Sequence, residues 1–145
     1  MSFLRITSLA CLFGFSSVAM AEPLNGSTWR TFDDATGKPK VVVQFERKGS
    51  ALVGTITQRL EGSTITNCVK CSGTLKNRPL VGLPIISGLK ATGNNQYDQG
   101  EILDPSTGKI YKLKGKLSAD GQTLELRGFL GFSMLGRTQT WKRAN

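Results

Sequence analysis

"QYDQGEILDPSTGKIYKLKGKLSADGQTLELRGFL", residues 96–130, contains three short segments of alternating character separated by two glycine-bearing turns. The turns read "DPSTGK" and "ADGQ", and aspartate and glycine at such positions are typical of hairpin connections. Between them, "IYKLKGKL" places lysine at every second residue, which is the side-chain period of a β-strand. The stretch therefore predicts three antiparallel strands joined by two hairpins.

The same pattern continues on both sides of this stretch. "STWRTFDD", "KVVVQFER" and "ALVGTITQRL" precede it, "RTQTWKR" follows it, and no apolar pattern with a 3.6-residue period reaches helical length. A chain of 145 residues is long enough for one hydrophobic core and too short for two. We predict an all-β fold, an antiparallel up-and-down barrel of about eight strands, in a single domain over residues 22–145.

The segment over residues 61–95 interrupts the regular spacing of strands. It contains the pair "CVKC" and then "RPLVGLPIISGLK", an apolar run with two prolines and two glycines. We predict one long loop or a short helical segment here, followed by a strand, that covers an open end of the barrel. A loop that touches a membrane is the alternative.

Residues 1–21, "MSFLRITSLACLFGFSSVAMA", have the features of a secretory signal peptide. One positive charge at Arg5 precedes an apolar run, and small residues end it at Ala19 and Ala21. Cys11 raises lipoprotein processing as an alternative, but "SLAC" lacks the aliphatic residue usual before such a cysteine. We predict cleavage before Glu22, export to the periplasm or the extracellular space, and no transmembrane segment in the mature chain.

The charge balance favours acidic partners. Nineteen basic and ten acidic residues give a formal net charge of +9, which suits anionic lipid or cell-wall polymers. Export disfavours nucleic acid as the acidic partner, and recognisable nucleic-acid motifs are absent, so we predict no nucleic-acid partner. Lys112, Lys114 and Lys116 alternate onto one strand face and form a basic stripe. That stripe is interpreted either as a contact to an anionic envelope component or as a solvated face that discourages edge pairing.

Cys68 and Cys71 are expected to form a disulfide, because an exported protein lives in an oxidising compartment. A thioredoxin-like redox centre is an alternative, but its first thiolate needs a helix N-terminus, whereas "SGTLKNRP" after Cys71 is typical of a loop. A zinc site is the second alternative, and it needs about four nitrogen or sulfur ligands in a chain that has no histidine. We therefore predict no metal and no cofactor.

Candidate ligand-binding residues lie on the predicted inward faces of the first, sixth and last strands. Arg137, Gln139 and Trp141 alternate onto one face of the last strand, and Tyr111 opposes the outward lysines of its own strand. Near the other terminus, Trp29, Thr31 and Asp33 share a face. These positions support two hypotheses. In the first, Trp29, Tyr111, Arg137, Gln139 and Trp141 bind an amphiphile with an anionic head; in the second, Arg137 stacks on Trp29, pairs with Asp33 and closes the barrel.

Several runs carry a resemblance to a known family. "WRTFDDATGKPKVVVQF", "CVKC", "GEILDPSTGKIYK" and "LELRGFLGFSMLGRTQTWKR" together resemble the bacterial secreted proteins catalogued as domain of unknown function 2147. The resemblance implies a lipocalin-like barrel. Such barrels place a tryptophan near the start of the first strand and a basic residue on the last, positions that Trp29 and Arg137 match. The family brings no established activity.

An enzymatic function finds little support in the sequence. Without histidine there is no Ser-His-Asp or Cys-His arrangement. A carboxylate pair would have to come from Asp33, Asp34, Glu101 and Asp104, of which Asp34 and Asp104 are expected to open hairpin turns. We predict a non-catalytic binding module for a small amphiphilic or anionic ligand. The alternative is a structural or interaction protein with a filled barrel, and a cavity of about 300 Å³ or more would distinguish the two.

Overall fold

The structure is a computed structural model that describes residues 22–132 and 134–145, together with Cys11 and Gly14. The predicted signal peptide lies almost entirely outside these residues. The described part contains eight β-strands and one short 3₁₀ helix. The strands are β1 (Thr28–Phe32), β2 (Pro39–Lys48), β3 (Ala51–Arg59), β4 (Pro84–Gly93), β5 (Gln96–Asp104), β6 (Lys109–Leu117), β7 (Thr123–Phe129) and β8 (Gly136–Arg143).

The strands form a closed antiparallel barrel. Each strand is hydrogen-bonded to the next one along the chain, and β1 pairs with β8 to complete the ring. Strand β2 illustrates the pattern, because its buried residues Val41, Val43 and Phe45 alternate with more exposed ones. The prediction of an all-β, up-and-down barrel of eight strands is therefore confirmed.

The antiparallel order gives the barrel two different ends. The hairpins after β2, β4 and β6 lie at one end, together with residues 22–27 and 144–145. The connections after β1, β3, β5 and β7 lie at the other. We call the end with residues 22–27 the closed end and the end with the connection after β7 the open end.

A buried tryptophan and an arginine seal the closed end. Trp29 is fully buried, and its Nε1 donates a hydrogen bond to the Ser27 hydroxyl at 2.7 Å. The guanidinium of Arg143 lies 5.1 Å from the centroid of the Trp29 ring, and its Nε donates to the Gly121 carbonyl at 2.8 Å. The expectation that Arg137 stacks on Trp29 is therefore wrong. Arg143 is the cation at that ring, because Trp29 and Arg143 are register partners in the β1–β8 pair.

The segment before β1 also packs against the closed end. The Tyr97 hydroxyl donates a 2.6 Å hydrogen bond to the Glu22 carboxylate, and Leu24 is fully buried. Burial, and next the hydrogen bond to Glu22, raise the pKa of Tyr97 above its ordinary value. The chain from Glu22 onward is thus part of the barrel's closure.

The long connection between β3 and β4 covers part of the open end, as predicted. It contains the 3₁₀ helix Gly73–Leu75, and Cys68 and Cys71 form the expected disulfide beside it. Leu80 and Leu83 are buried in the barrel core, and the strand that follows begins at Pro84. Most apolar residues of "RPLVGLPIISGLK" thus face the core, while Val81 is exposed.

We predict that Gly108→Ala lowers the free energy of unfolding by about 2–3 kcal/mol. Gly108 has φ +74° in the turn after β5, and a Cβ there would collide with the carbonyl of Lys70 in the disulfide loop. Gly49→Ala is the matched control, since Gly49 has φ +63° with nothing within 4 Å, and we expect it to cost about 1 kcal/mol. Urea denaturation of both variants measures the difference. Equal losses would mean that the disulfide loop does not rest on this turn.

Candidate ligand chamber

A chamber of about 610 Å³ opens at the end of the barrel opposite Trp29. All eight strands contribute to its wall. The long connection between β3 and β4, which we call the covering loop, adds Ile65 and Leu80. Its interior is mainly aliphatic. The aliphatic strand residues that line it are Val41, Ile56, Ile85, Ile102, Leu103, Leu113 and Leu126.

Trp141 contributes an aromatic surface to the chamber. It is almost fully buried, and its ring centroid lies 6.4 Å from that of Phe45. Its Nε1 donates to Oε1 of Gln139 at 3.2 Å, and Nε2 of Gln139 donates to Oδ2 of Asp34 at 3.4 Å. The indole N–H is therefore satisfied by a chain of side chains that leads to the rim, and the ring itself is left for apolar contact.

An exposed ion pair stands at the rim. Nη1 of Arg137 lies 2.7 Å from Oδ2 of Asp34, and the two side chains are 66% and 47% exposed. Arg137 lines the chamber but is not enclosed by it. The desolvation cost expected for an arginine inside the barrel therefore does not arise.

Asp33 does not pair with Arg137, contrary to expectation. Its carboxylate accepts hydrogen bonds from the amides of Ala35 and Thr36 and from the Thr36 hydroxyl, at 2.8–3.0 Å. These bonds, with the Thr36 amide as the largest cause, lower the pKa of Asp33. Strand β1 ends at Phe32, so Asp33 opens the turn to β2 and does not continue the inward alternation of Trp29 and Thr31. The turn carboxylate is Asp33, and Asp34 is the partner of Arg137.

Four of the five candidate ligand-binding residues line this one chamber. They are Tyr111, Arg137, Gln139 and Trp141. Trp29 is not among the lining residues, since it packs at the closed end against Arg143.

Sequence reasoning did not assign several other lining residues to the ligand site, among them Asp34, Lys40 and Gly128. Asp34 had been interpreted as a turn residue. The pairing of Gly128 with the inward Leu113 could have identified it once the hairpin register was drawn.

The other acidic candidates are engaged in structural roles or lie elsewhere. Oδ1 of Asp104 accepts a hydrogen bond from the Ser106 amide at 2.9 Å within its own turn. Glu101 pairs across the sheet with Lys112, outside the chamber. Within the described residues there is no group of three or more His, Cys, Asp and Glu side chains that could hold a metal ion. No helix of that part of the chain has the length and apolar character to cross a membrane.

The basic stripe lies on the outer wall of the barrel. Lys112, Lys114 and Lys116 alternate along β6 with Leu113 and Leu117, which are buried. Nζ of Lys114 lies 5.7 Å from the Phe129 ring centroid. Across the sheet, Glu101 is the register partner of Lys112, and Glu125 is that of Lys116. The two outer lysines of the stripe therefore have acidic partners, while Lys114 lies opposite Arg127. The stripe stands apart from the chamber.

A closed antiparallel barrel of eight strands, sealed at one end and hollow at the other, defines a lipocalin-like barrel. The chain belongs to the family DUF2147, described as uncharacterized protein conserved in bacteria, whose model matches residues 27–143. The resemblance noted in the sequence is thereby confirmed.

A solved structure shares this fold. It is protein HP1028 from the human pathogen Helicobacter pylori, described as belonging to the lipocalin family, at 23% identity and a TM-score of 0.73. The alignment covers 84% of this chain and 83% of that one. A search of the curated proteins found no match.

Proposed function

We propose that this protein is an exported, non-catalytic binding protein of the cell envelope that holds one small amphiphile in its chamber. The observation that carries the proposal is the chamber itself, at about 610 Å³. Pockets that bind small molecules have volumes of about 300–1,000 Å³ and mainly apolar walls. A barrel filled by its own side chains, the alternative function, would leave no such space.

Export is part of the proposal, and two features support it. A disulfide such as that between Cys68 and Cys71 is typical of proteins in oxidising compartments. The first 21 residues have the charge and apolar pattern of a signal peptide.

The walls of the chamber suit the apolar tail of a ligand, and the rim suits its anionic head group. Aliphatic walls and the Trp141 ring suit an apolar tail, because the tail gains by leaving water. Polar groups stand at the rim, where Arg137, Gln139 and Lys40 line the opening. The guanidinium has five N–H donors, and Asp34 contacts it through Nη1. A carboxylate or phosphate head could therefore bind Arg137 while the tail lies inside.

A series of straight-chain carboxylates tests this arrangement. Each added methylene should strengthen binding about fourfold, because burying one CH₂ contributes about 0.8 kcal/mol. The gain should stop once the chamber is full. Affinities are measured by displacement of an apolar fluorescent probe from the purified protein. Affinity that does not depend on chain length would contradict an apolar chamber as the binding site.

The head group has its own control in the same assay. Arg137→Gln should weaken carboxylates by up to about fivefold and leave alcohols of equal length unchanged, since an exposed charge pair contributes at most about 1 kcal/mol. Lys116→Gln, on the outer wall, should change neither. An equal loss of affinity for carboxylates and alcohols would mean that Arg137 does not distinguish a charged head group from a neutral one.

A further inference from the structure

The large apolar side chains that are exposed in the described residues lie at the open end of the barrel. Four belong to the connection between β7 and β8, where Leu130 is 54%, Phe132 77%, Met134 88% and Leu135 69% exposed. We call the residues Leu130, Gly131, Phe132, Met134 and Leu135 the apolar mouth loop. Val69 and Val81 in the covering loop and Ile110 at the start of β6 complete the set. Such a concentration at one end marks a contact surface.

Three hydrogen bonds engage described backbone groups of the apolar mouth loop. The Leu130 amide donates to the Leu135 carbonyl at 3.2 Å, and the Leu135 amide donates to the Phe132 carbonyl at 3.0 Å. Nη2 of Arg127 donates to the Met134 carbonyl at 3.2 Å. These backbone groups already have partners, so the loop can enter an apolar layer without leaving them unsatisfied.

Apolar residues of two loops stand around the opening. The mouth loop connects β7 to β8. The covering loop connects β3 to β4, four strands away in a ring of eight, and reaches across to the turn after β5, where the Lys70 carbonyl packs against Gly108. A flat surface that touched both Phe132 and Val69 would lie over the open end between β5 and β8. The shape of this end therefore suits a planar partner.

The charges beside these apolar residues are mostly positive. Exposed basic residues at this end include Lys70, Lys76 and Arg78 in the covering loop, Lys109 at the start of β6, Lys38 in the turn after β1 and Arg59 at the end of β3. Glu61 is the exposed acidic residue of the covering loop, and Asp34 is already paired with Arg137. A second copy placed mouth to mouth would bring like charges together. An anionic lipid surface instead complements them.

We propose that the open end docks on an anionic lipid bilayer, with the apolar mouth loop inserted into its interface and the basic residues against its head groups. Side chains of Phe, Leu and Met next to Lys and Arg are typical of such interfacial contacts. Docking would place the chamber mouth at the lipid surface. Only the idea that lipid-like ligands pass across this contact rests on the proposed function; the contact itself does not.

Vesicle co-sedimentation tests the docking surface. The protein is purified in the form that the cell produces, its N-terminus is determined by mass spectrometry, and it is mixed with phosphatidylglycerol–phosphatidylcholine vesicles. We expect binding that weakens with added salt and with removal of phosphatidylglycerol. The triple variant Phe132→Ser, Met134→Ser, Leu135→Ser should bind at least tenfold more weakly, while keeping the parental melting temperature.

The matched control changes the basic stripe instead, as Lys112→Gln, Lys114→Gln, Lys116→Gln, and should bind vesicles within about twofold of the parent. Loss of binding in the control but not in the loop variant would overturn the proposal. So would a lack of vesicle binding by the parent, or sedimentation velocity showing a dimer that the loop variant loses.

Probe uptake in solution is measured in parallel. Uptake without vesicle binding removes the docking surface alone, and vesicle binding without uptake removes the proposed function alone.

Discussion

Replacing Trp29 by alanine is expected to lower the free energy of unfolding by about 3–5 kcal/mol, the usual range for losing a buried aromatic side chain. Trp29 is fully buried, donates a hydrogen bond to Ser27, and has Arg143 over its ring. The substitution removes the packed ring and the hydrogen bond, and it leaves the guanidinium of Arg143 without its aromatic face. For a domain of this size, the melting temperature should fall by about 10 °C or more. Chemical and thermal denaturation measure both quantities.

A matched pair of variants tests whether Arg143, and not Arg137, closes the barrel beside Trp29. Arg143→Met removes the cation from Trp29 and the hydrogen bond to Gly121, so we expect a loss of about 1–2 kcal/mol. Arg137→Met removes an exposed ion pair at the other end and should change stability by no more than about 0.5 kcal/mol. If Arg137→Met were the more damaging of the two, Arg143 would not be the closing residue.

Residue alternation predicted which side of the sheet a side chain faces, but not its height along the barrel. Arg137 and Arg143 have the same parity on β8, so both were compatible with a position beside Trp29. Strand direction decides between them. In an antiparallel pair the start of β1 meets the end of β8, and Trp29 is therefore opposite Arg143. Applying this rule to the closing pair of strands would have identified the correct arginine from the sequence.

The fold was predictable because the hairpin signals and the alternation agree along most of the chain. The lysines of β6 face outward and Leu113 and Leu117 inward, as a period of two requires. The alternation did not extend to Asp33, because β1 ends at Phe32 and Asp33 opens the turn that follows. The sequence carries no clear signal for which of the two adjacent aspartates accepts the turn hydrogen bonds and which pairs with Arg137.

The chamber could not be predicted from the pattern of inward residues. Period-two alternation identified Tyr111, Gln139 and Trp141 as inward, yet the same pattern fits a barrel packed solid. Whether space remains depends on the summed volumes of side chains from eight strands. Gly128 is one position where an inward side chain is missing, between Ile102 and Tyr111. Its effect appears only once the register places it opposite Leu113.

Filling that position is expected to weaken ligand binding by roughly 200-fold while the barrel stays folded. A Cβ on Gly128 would meet Ile102 and Tyr111 at 3.6 Å, which is ordinary contact, and the residue does not need a left-handed backbone. In Gly128→Leu the four added carbon atoms occupy part of the chamber. If they displace about four ligand methylenes, the loss is about 3 kcal/mol, or roughly 200-fold in affinity. Probe displacement measures the loss, and the melting temperature should be unchanged or higher, because glycine weakens a strand.

Two other leucine substitutions on neighbouring positions separate a filled chamber from a damaged barrel. Glu125→Leu adds the same side chain to the outer face of β7, where Glu125 is exposed, and should bind the probe like the parent. Gly115→Leu should destabilise the barrel, because a Cβ there would lie 2.8 Å from Leu126. Gly128→Leu is therefore expected to be as stable as Glu125→Leu. Unlike Glu125→Leu, it should lose affinity for the probe. Parental affinity in a folded Gly128→Leu protein would mean that ligands bind somewhere other than the chamber.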